Sequence, residues 1–99
     1  MGGTILVVDD EPNSRFGISQ ILRDEGFEVI SAESGKEALE KLQANSVNVI
    51  VTDEKMPDLS GMDLLAVVKR NSPHIPVILI TAFGSVSMAV EALKNGAYY

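Results

Sequence analysis

The chain has 99 residues, 45% of them hydrophobic and 22% charged, which fits a single globular domain with a modest core. The net charge of −6 argues against direct binding to nucleic acid or an anionic membrane, and the absence of cysteine excludes disulfides and thiolate metal sites. No apolar run approaches the roughly 20 residues of a membrane span and no secretory signal is visible, so we expect a cytoplasmic protein.

The first strand and helix are predicted from an apolar run and a proline. Ile5–Val8 reads as a short buried strand. Pro12 stands where a first helical residue is expected, since its missing N–H costs nothing there. The helix should bury one face, and Gly26 is placed to end it. That predicted face carries Ile18, Ile21 and Leu22.

The second unit begins with Phe27–Ile30, which reads as a brief strand. Ser34 and Glu37 have the spacing of a capping box, in which each side chain bonds a backbone N–H near the other residue. A second helix is therefore predicted to start there. Val47–Val51 is apolar and mostly β-branched, which predicts a third, central strand.

Two further units complete the chain. Ser60 is the predicted cap of a third helix, which the Asn71–Pro73 segment stops. Val77–Ile80 predicts a fourth buried strand, and Val86–Lys94 a fourth helix that Gly96 ends. Strict alternation of strands and helices with short connections implies parallel strands joined by right-handed crossovers. The expected fold is therefore α/β, a doubly wound parallel sheet.

Acidic residues follow two of the predicted strands. Asp9 and Asp10 follow the first strand, Asp53 follows the third and Thr81 follows the fourth. Because parallel strands end at one edge of the sheet, and ligands bind at that edge, these side chains should meet there. Taken alone, each has a structural explanation as a helix cap, a turn residue or a strand end. Their coincidence at one edge favours a site.

Adjacent carboxylates need a reason to lie together. At a separation of ~4 Å two of them repel by about 4 kcal/mol in a medium of effective dielectric 20. A hard divalent cation removes that cost, and Mg²⁺ prefers oxygen ligands and retains water. The sequence therefore predicts a magnesium site built from Asp9, Asp10 and Asp53.

A carboxylate beside such a cation can act as a nucleophile and form an aspartyl-phosphate. Asp53 is the better candidate, because it is the single acid at the centre of the sheet while the Asp9–Asp10 pair can hold the metal from one side. Thr81 offers a hydroxyl that could hydrogen-bond a phosphoryl oxygen.

Several stretches together resemble a receiver domain of a bacterial two-component response regulator, a CheY-like domain. They are ILVVDDEP, VNVIVTDEKMPDLSGMDLL and IPVILITAFGSVSMAVEALKNGAYY, and they cover nearly the whole chain. The last stretch is most similar to receivers of sigma-54-dependent, NtrC-type activators. The resemblance implies a flavodoxin-like sheet with strand order 2-1-3-4.

The resemblance also implies roles for individual residues. Asp53 is the expected phosphoacceptor, and Thr81 the residue that bonds the phosphoryl group and shifts in the switch. Asp10 is expected to contact Mg²⁺ directly and Asp9 mainly through water. The backbone carbonyl of Lys55 would complete the protein ligands.

The implied partners are a sensor histidine kinase and an output domain in the full-length protein, with regulation of an output such as transcription. The expected module modifies itself and is not an enzyme with an external turnover substrate. The resemblance further implies that Gly61 permits a tight turn into the third helix.

The chain ends where family members continue into a fifth strand and helix, so residues 1–99 are expected to form a C-terminally truncated receiver domain. One alternative is therefore a phosphorylation-incompetent fragment that acts as an interaction scaffold. The exposed fourth strand would favour self-association. An aspartyl-phosphate hydrolase ranks lower, because Lys55 stands where such enzymes often carry a second acid.

Overall fold

Four strands alternate with three helices over residues 3–80, the part of the chain that this computed structural model describes. The elements are β1 (Thr4–Val8), α1 (Pro12–Asp24), β2 (Glu28–Ala32), α2 (Gly35–Ala44), β3 (Val49–Asp53), α3 (Gly61–Asn71) and β4 (Val77–Ile80). Thr81, the predicted Val86–Lys94 helix and Gly96 lie outside the described residues. No described helix is long and apolar enough to cross a membrane.

The strands form one parallel sheet in the order β2-β1-β3-β4, which confirms the predicted doubly wound topology and strand order. In the register of this sheet Val8 pairs with Ala32 of β2 on one side and with Thr52 of β3 on the other. Strand β3 therefore ends one residue beyond β1, and its last residue, Asp53, lies beside Asp9, the residue that follows β1.

Both faces of the sheet are buried, because helices pack on each of them, and successive strand side chains point alternately into the two cores. One core lies between the sheet and α1, and the other between the sheet and the α2–α3 pair. The first contains Ile5, Val7, Ile18, Leu22, Val49, Val51 and Ile80. The second contains Leu6, Val8, Ala32, Ala38, Val47, Ile50, Leu64, Val68, Ile75 and Val77.

Helix α1 begins at Pro12, as predicted, and the chain leaves it through Gly26, whose φ of 95° suits glycine. Its buried face differs from the prediction. Ile18 and Leu22 contact the sheet, but Ile21 is 43% exposed. Ser19 completes the buried face instead. Around the helix, Ser19 and Ile21 flank the Ile18–Leu22 stripe on opposite sides, and the sheet covers the side that carries Ser19.

The helix caps were predicted correctly in position and only partly in detail. The Ser34 hydroxyl accepts from the Glu37 N–H at 3.0 Å, but the Glu37 carboxylate accepts from the Glu33 N–H rather than from Ser34. The α2 capping box is therefore half formed. Helix α3 has the complete box, with Ser60 and Asp63 accepting from each other's backbone N–H groups.

Strand β3 lies two residues later than the predicted Val47–Val51. Val47 is buried, but it reaches the core from the loop before the strand. The next residue, Asn48, uses its side-chain oxygen to accept from the backbone N–H of Thr4 at 2.8 Å, at the start of β1. The apolar pattern therefore located burial correctly and the strand boundary incorrectly.

Candidate metal centre

Three carboxylates meet at the carboxyl edge of the sheet. Asp9, Asp10 and Asp53 each offer an oxygen, and these oxygens lie within 4.8 Å of one another. Asp9 is buried, Asp53 is partly buried and Asp10 is exposed. The predicted convergence of the three acids is thus confirmed.

The sheet register explains this convergence. Val8 pairs with Thr52, so the next residue of each chain segment, Asp9 and Asp53, falls at the same level on adjacent strands. Asp9 also donates its backbone N–H to Ala32 of β2 at 3.1 Å, which extends the sheet hydrogen bonding by one residue. Asp9 is thereby held in line with β1 before the chain turns into α1.

The carboxylate of Asp9 is oriented by the first turn of α1. Its Oδ2 accepts from the Ser14 hydroxyl at 2.6 Å, and its Oδ1 accepts from the Glu11 N–H at 3.0 Å. Arg15 donates to the Asp9 carbonyl oxygen at 2.8 Å. Sequence reasoning missed Ser14, whose only signal is a hydroxyl five residues after an acid in a helix's first turn.

The pKa of Asp53 is raised above its ordinary value. Burial is the largest cause, followed by repulsion from Asp9, with a smaller contribution from Asp10. The backbone N–H groups of Glu54 and Lys55 oppose the rise, and the Glu54 N–H lies 2.9 Å from Oδ1. The raised pKa means that the folded protein carries an unfavourable charge here, which a bound cation would offset.

Glycine at position 61 allows α3 to start directly against the end of β3, where Asp53 lies. A methyl group there would lie 2.6 Å from the Asp53 carbonyl oxygen and 2.6 Å from Leu79 Cδ2. Among the described residues only Gly26 has a positive φ, so the turn itself does not require glycine at 61. The reason for Gly61 is a close backbone approach, not the tight turn that the resemblance implied.

The donor set fits a hard divalent cation. It consists of carboxylate oxygens alone, which is the ligand type that Mg²⁺ prefers. The exposure of Asp10 leaves one side of the group open to water and to a further ligand. Lys55 is exposed and its carbonyl remains only a predicted ligand, while Thr81 lies outside the described residues.

Comparison with known proteins identifies similar chains. Transcriptional regulatory protein GlrR of Escherichia coli (strain K12) is 37% identical over 94 residues, which is 95% of this chain and 21% of GlrR. Nitrogen assimilation regulatory protein NtrX of Azorhizobium caulinodans is 38% identical over 100 residues, or 99% of this chain and 22% of NtrX. The chain spans about a fifth of these relatives. They confirm the predicted similarity to NtrC-type activators.

Solved structures agree with the fold. A response regulator receiver domain protein from Clostridium thermocellum is 42% identical, with a TM-score of 0.77 over 96% of this chain and 77% of that one. The response regulator TrrA of Thermotoga maritima, in complex with Mg²⁺-BeF, is 33% identical, with a TM-score of 0.79 over 92% and 79%. A second structure, with 36% identity and a TM-score of 0.77 over 83% and 71%, holds TrrA with the histidine kinase ThkA.

These similarities extend over almost all of the chain. A model of the response regulator receiver domain matches residues 5–99. Together with relatives above 30% identity over most of this length, the match shows that the chain belongs to the response regulator receiver domain family.

Proposed function

We propose that this chain is a Mg²⁺-dependent phosphoacceptor module of a two-component system, with Asp53 as the phosphorylated residue. The observation that carries this proposal is the convergence of the Asp9, Asp10 and Asp53 oxygens within 4.8 Å. Receiver domains are signalling modules, so we further propose that this one modifies itself and has no external turnover substrate.

In the proposed reaction, an ionised Asp53 oxygen attacks phosphorus of a phosphohistidine on the kinase. The new P–O bond forms as the P–N bond breaks, and the electron pair leaves with the imidazole. Bound Mg²⁺ would supply charge neutralisation for the phosphoryl oxygens. The protein supplies orientation, since Asp53 is partly buried and fixed by the Glu54 N–H.

Each acid has a proposed role. Asp10, exposed at the open side, would bind the ion directly, while Asp9, buried and bonded to the Ser14 hydroxyl, would bind it mainly through water. The Lys55 carbonyl is the proposed backbone ligand, because the backbone N–H of Lys55 interacts with the Asp53 carboxylate and so holds this residue beside the acids. Thr81 is proposed to bond the phosphoryl group, since it directly follows β4, whose last residue pairs with Asp53.

The proposed partners are a sensor histidine kinase and an output domain that regulates transcription, in the cytoplasm. TrrA, which shares this fold, has been solved with a histidine kinase, and GlrR is a transcriptional regulatory protein. The chain covers about a fifth of GlrR, which leaves most of that relative's length for other parts. The net charge of −6 supports the proposal that the module itself contacts neither nucleic acid nor membrane.

The test is an intact-mass measurement after incubation with MgCl₂ and acetyl phosphate. We expect one added phosphoryl group on the wild-type chain and on Asp24→Asn, an acid-to-amide control at the far end of α1. We expect no addition on Asp53→Asn or in excess EDTA. An unmodified wild-type chain, or modification of Asp53→Asn to the same extent, would overturn the proposal and leave the non-phosphorylated scaffold as the better description.

A further inference from the structure

The loop of residues 54–60 joins Asp53 to α3 and is fastened to a different part of the fold. The carboxylate of Asp58 in this loop accepts hydrogen bonds from three backbone N–H groups. Two come from the start of α2, Gly35 at 3.1 Å and Lys36 at 2.8 Å, and the third comes from Leu59 at 2.8 Å. Asp58 thus links the loop to a helix that precedes it by 22 and 23 residues.

The electrostatics of this contact favour an ionised Asp58. The Lys36 N–H is the main cause that lowers the pKa of Asp58, and the Gly35 and Leu59 N–H groups act in the same direction. A carboxylate at the first turn of a helix also faces the positive end of the helix dipole. The clamp is therefore charge-assisted, and an uncharged side chain would hold α2 more weakly.

Close packing holds the same segment against α2. A methyl group at Gly35 would lie 2.7 Å from Leu59 Cβ, so the loop packs directly on the first residue of α2. At the neck of the loop, the Gly61 N–H donates to the Glu54 carbonyl at 2.8 Å. The loop is thus closed at its neck by the Glu54–Gly61 hydrogen bond and held on α2 through Asp58. Lys55 lies between these two points along the chain.

We propose that Asp58 is a positioning residue for the metal centre, because it clamps the 54–60 loop onto α2 and so holds the Lys55 backbone beside Asp53. The inference rests on the proposed function, since it concerns how the backbone ligand of that site is held. Asp58 itself touches neither metal nor substrate in this scheme.

A plain helix cap is the competing explanation, and the structure offers a matched control for it. Ser34 caps α2 through its own hydroxyl, which accepts from the Glu37 N–H at 3.0 Å. Ser34→Ala therefore removes a cap from the same helix end without removing the hydrogen bonds between α2 and Asp58. Only Asp58→Ala removes both a cap and the tie between α2 and the loop.

Mg²⁺ affinity measured by NMR titration separates the two explanations. For Asp58→Ala we expect affinity to fall by up to about tenfold, the lower end of the loss that follows removal of a direct partner of a metal ligand, because Asp58 acts on the Lys55 backbone only through the loop. For Ser34→Ala we expect affinity within about twofold of wild type. Equal affinities for wild type and Asp58→Ala, with both folded, would overturn the inference, as would an equal loss in Ser34→Ala.

Hydrogen exchange in the metal-free protein gives a second readout. The Glu54 N–H donates to Asp53 Oδ1 and to the Ile80 carbonyl of β4, and the Gly61 N–H donates to the Glu54 carbonyl, so both amides report on the junction between the loop and the sheet. We expect faster exchange at both in Asp58→Ala and unchanged exchange in Ser34→Ala. Unchanged protection in Asp58→Ala would contradict the clamp.

The conservative variant Asp58→Asn keeps one acceptor oxygen and should give an intermediate loss of Mg²⁺ affinity. It carries the test if Asp58→Ala does not fold, and wild-type affinity in that variant would then count against the charge-assisted clamp. A wild-type chain that is phosphorylated on Asp53 while both Asp58 variants bind Mg²⁺ normally refutes only the positioning role. A wild-type chain without Mg²⁺ binding refutes the proposed function as well.

Discussion

Asp53 is held between opposing influences. Burial and the Asp9 carboxylate raise its pKa, while the backbone N–H groups of Glu54 and Lys55 lower it without cancelling the rise. In the metal-free protein the ionised residue therefore destabilises the fold. The same negative charge would attract a cation and is required of Asp53 as a nucleophile in the proposed reaction. The cost in stability and the proposed chemistry arise from one arrangement.

Asp53→Asn should raise the melting temperature of the metal-free protein at neutral pH. Because the folded-state pKa lies above the unfolded one, the folded state binds more protons between the two values, and stability falls as pH rises through them. The advantage of Asp53→Asn should therefore disappear at acidic pH. Thermal melts in EDTA across a pH series measure this, and an advantage that stays constant with pH would contradict it.

Ser14→Ala should weaken Mg²⁺ binding about tenfold, since the hydroxyl that holds Asp9 Oδ2 at 2.6 Å is lost. It should also cost about 1 kcal/mol of unfolding free energy, the usual net value of a hydrogen bond. Calorimetric Mg²⁺ titration and urea denaturation measure the two effects. Asn13→Ala in the same exposed turn is the control, and equal Mg²⁺ affinity in both variants would show that Ser14 does not orient Asp9.

At the level of elements, the sequence predicted type and order well and boundaries less well. Local chemistry defines an apolar run or a cap such as Ser60, so those predictions were confirmed. The bounds of β3 depend on its pairing with β1, where Ile5 lies beside Val49, and no local pattern contains that register. Helix α1 buries Ser19 in place of Ile21 for the same reason, because the sheet decides the contact face.

Gly61→Ala and Gly17→Ala should change stability in opposite directions. At Gly61 the new methyl group meets the Asp53 carbonyl oxygen at 2.6 Å, so we expect a loss of about 1–3 kcal/mol. At Gly17, within α1, nothing lies within 4 Å, so the better helix propensity of alanine should add about 0.5–1 kcal/mol. Urea denaturation measures both, and stabilisation by both variants would refute the close-approach explanation.

At the level of the whole molecule, β4 is one of the two edge strands of the sheet within residues 3–80, and β2 is the other. Strand β4 pairs with β3 on one side, and over the described residues no strand pairs with its other side. Unpaired backbone groups on an apolar edge favour pairing with another chain. Self-association through β4 therefore remains a prediction for this 99-residue chain.

Light scattering over a range of concentrations tests this prediction. We expect the mean mass of the 10.6 kDa chain to rise with concentration, with dimers as the first product. Sedimentation velocity of the same samples serves as the control against nonspecific aggregation, which would give a broad distribution instead of a discrete second species. A monomer that persists at millimolar concentration would show that the β4 edge is protected.

The sequence by itself determined the alternation of strands and helices, the caps of α2 and α3, and the placement of acids at the ends of the first and third strands. These features follow from local composition and spacing, which any sequence displays directly. Only the tertiary structure decided that Asp9, Asp10 and Asp53 come within 4.8 Å, that Ser14 orients Asp9 and that Asp58 clamps α2. The convergence of the acids and the clamp join segments distant along the chain, and the Ser14 contact depends on how α1 leaves β1, so packing and sheet register set these distances.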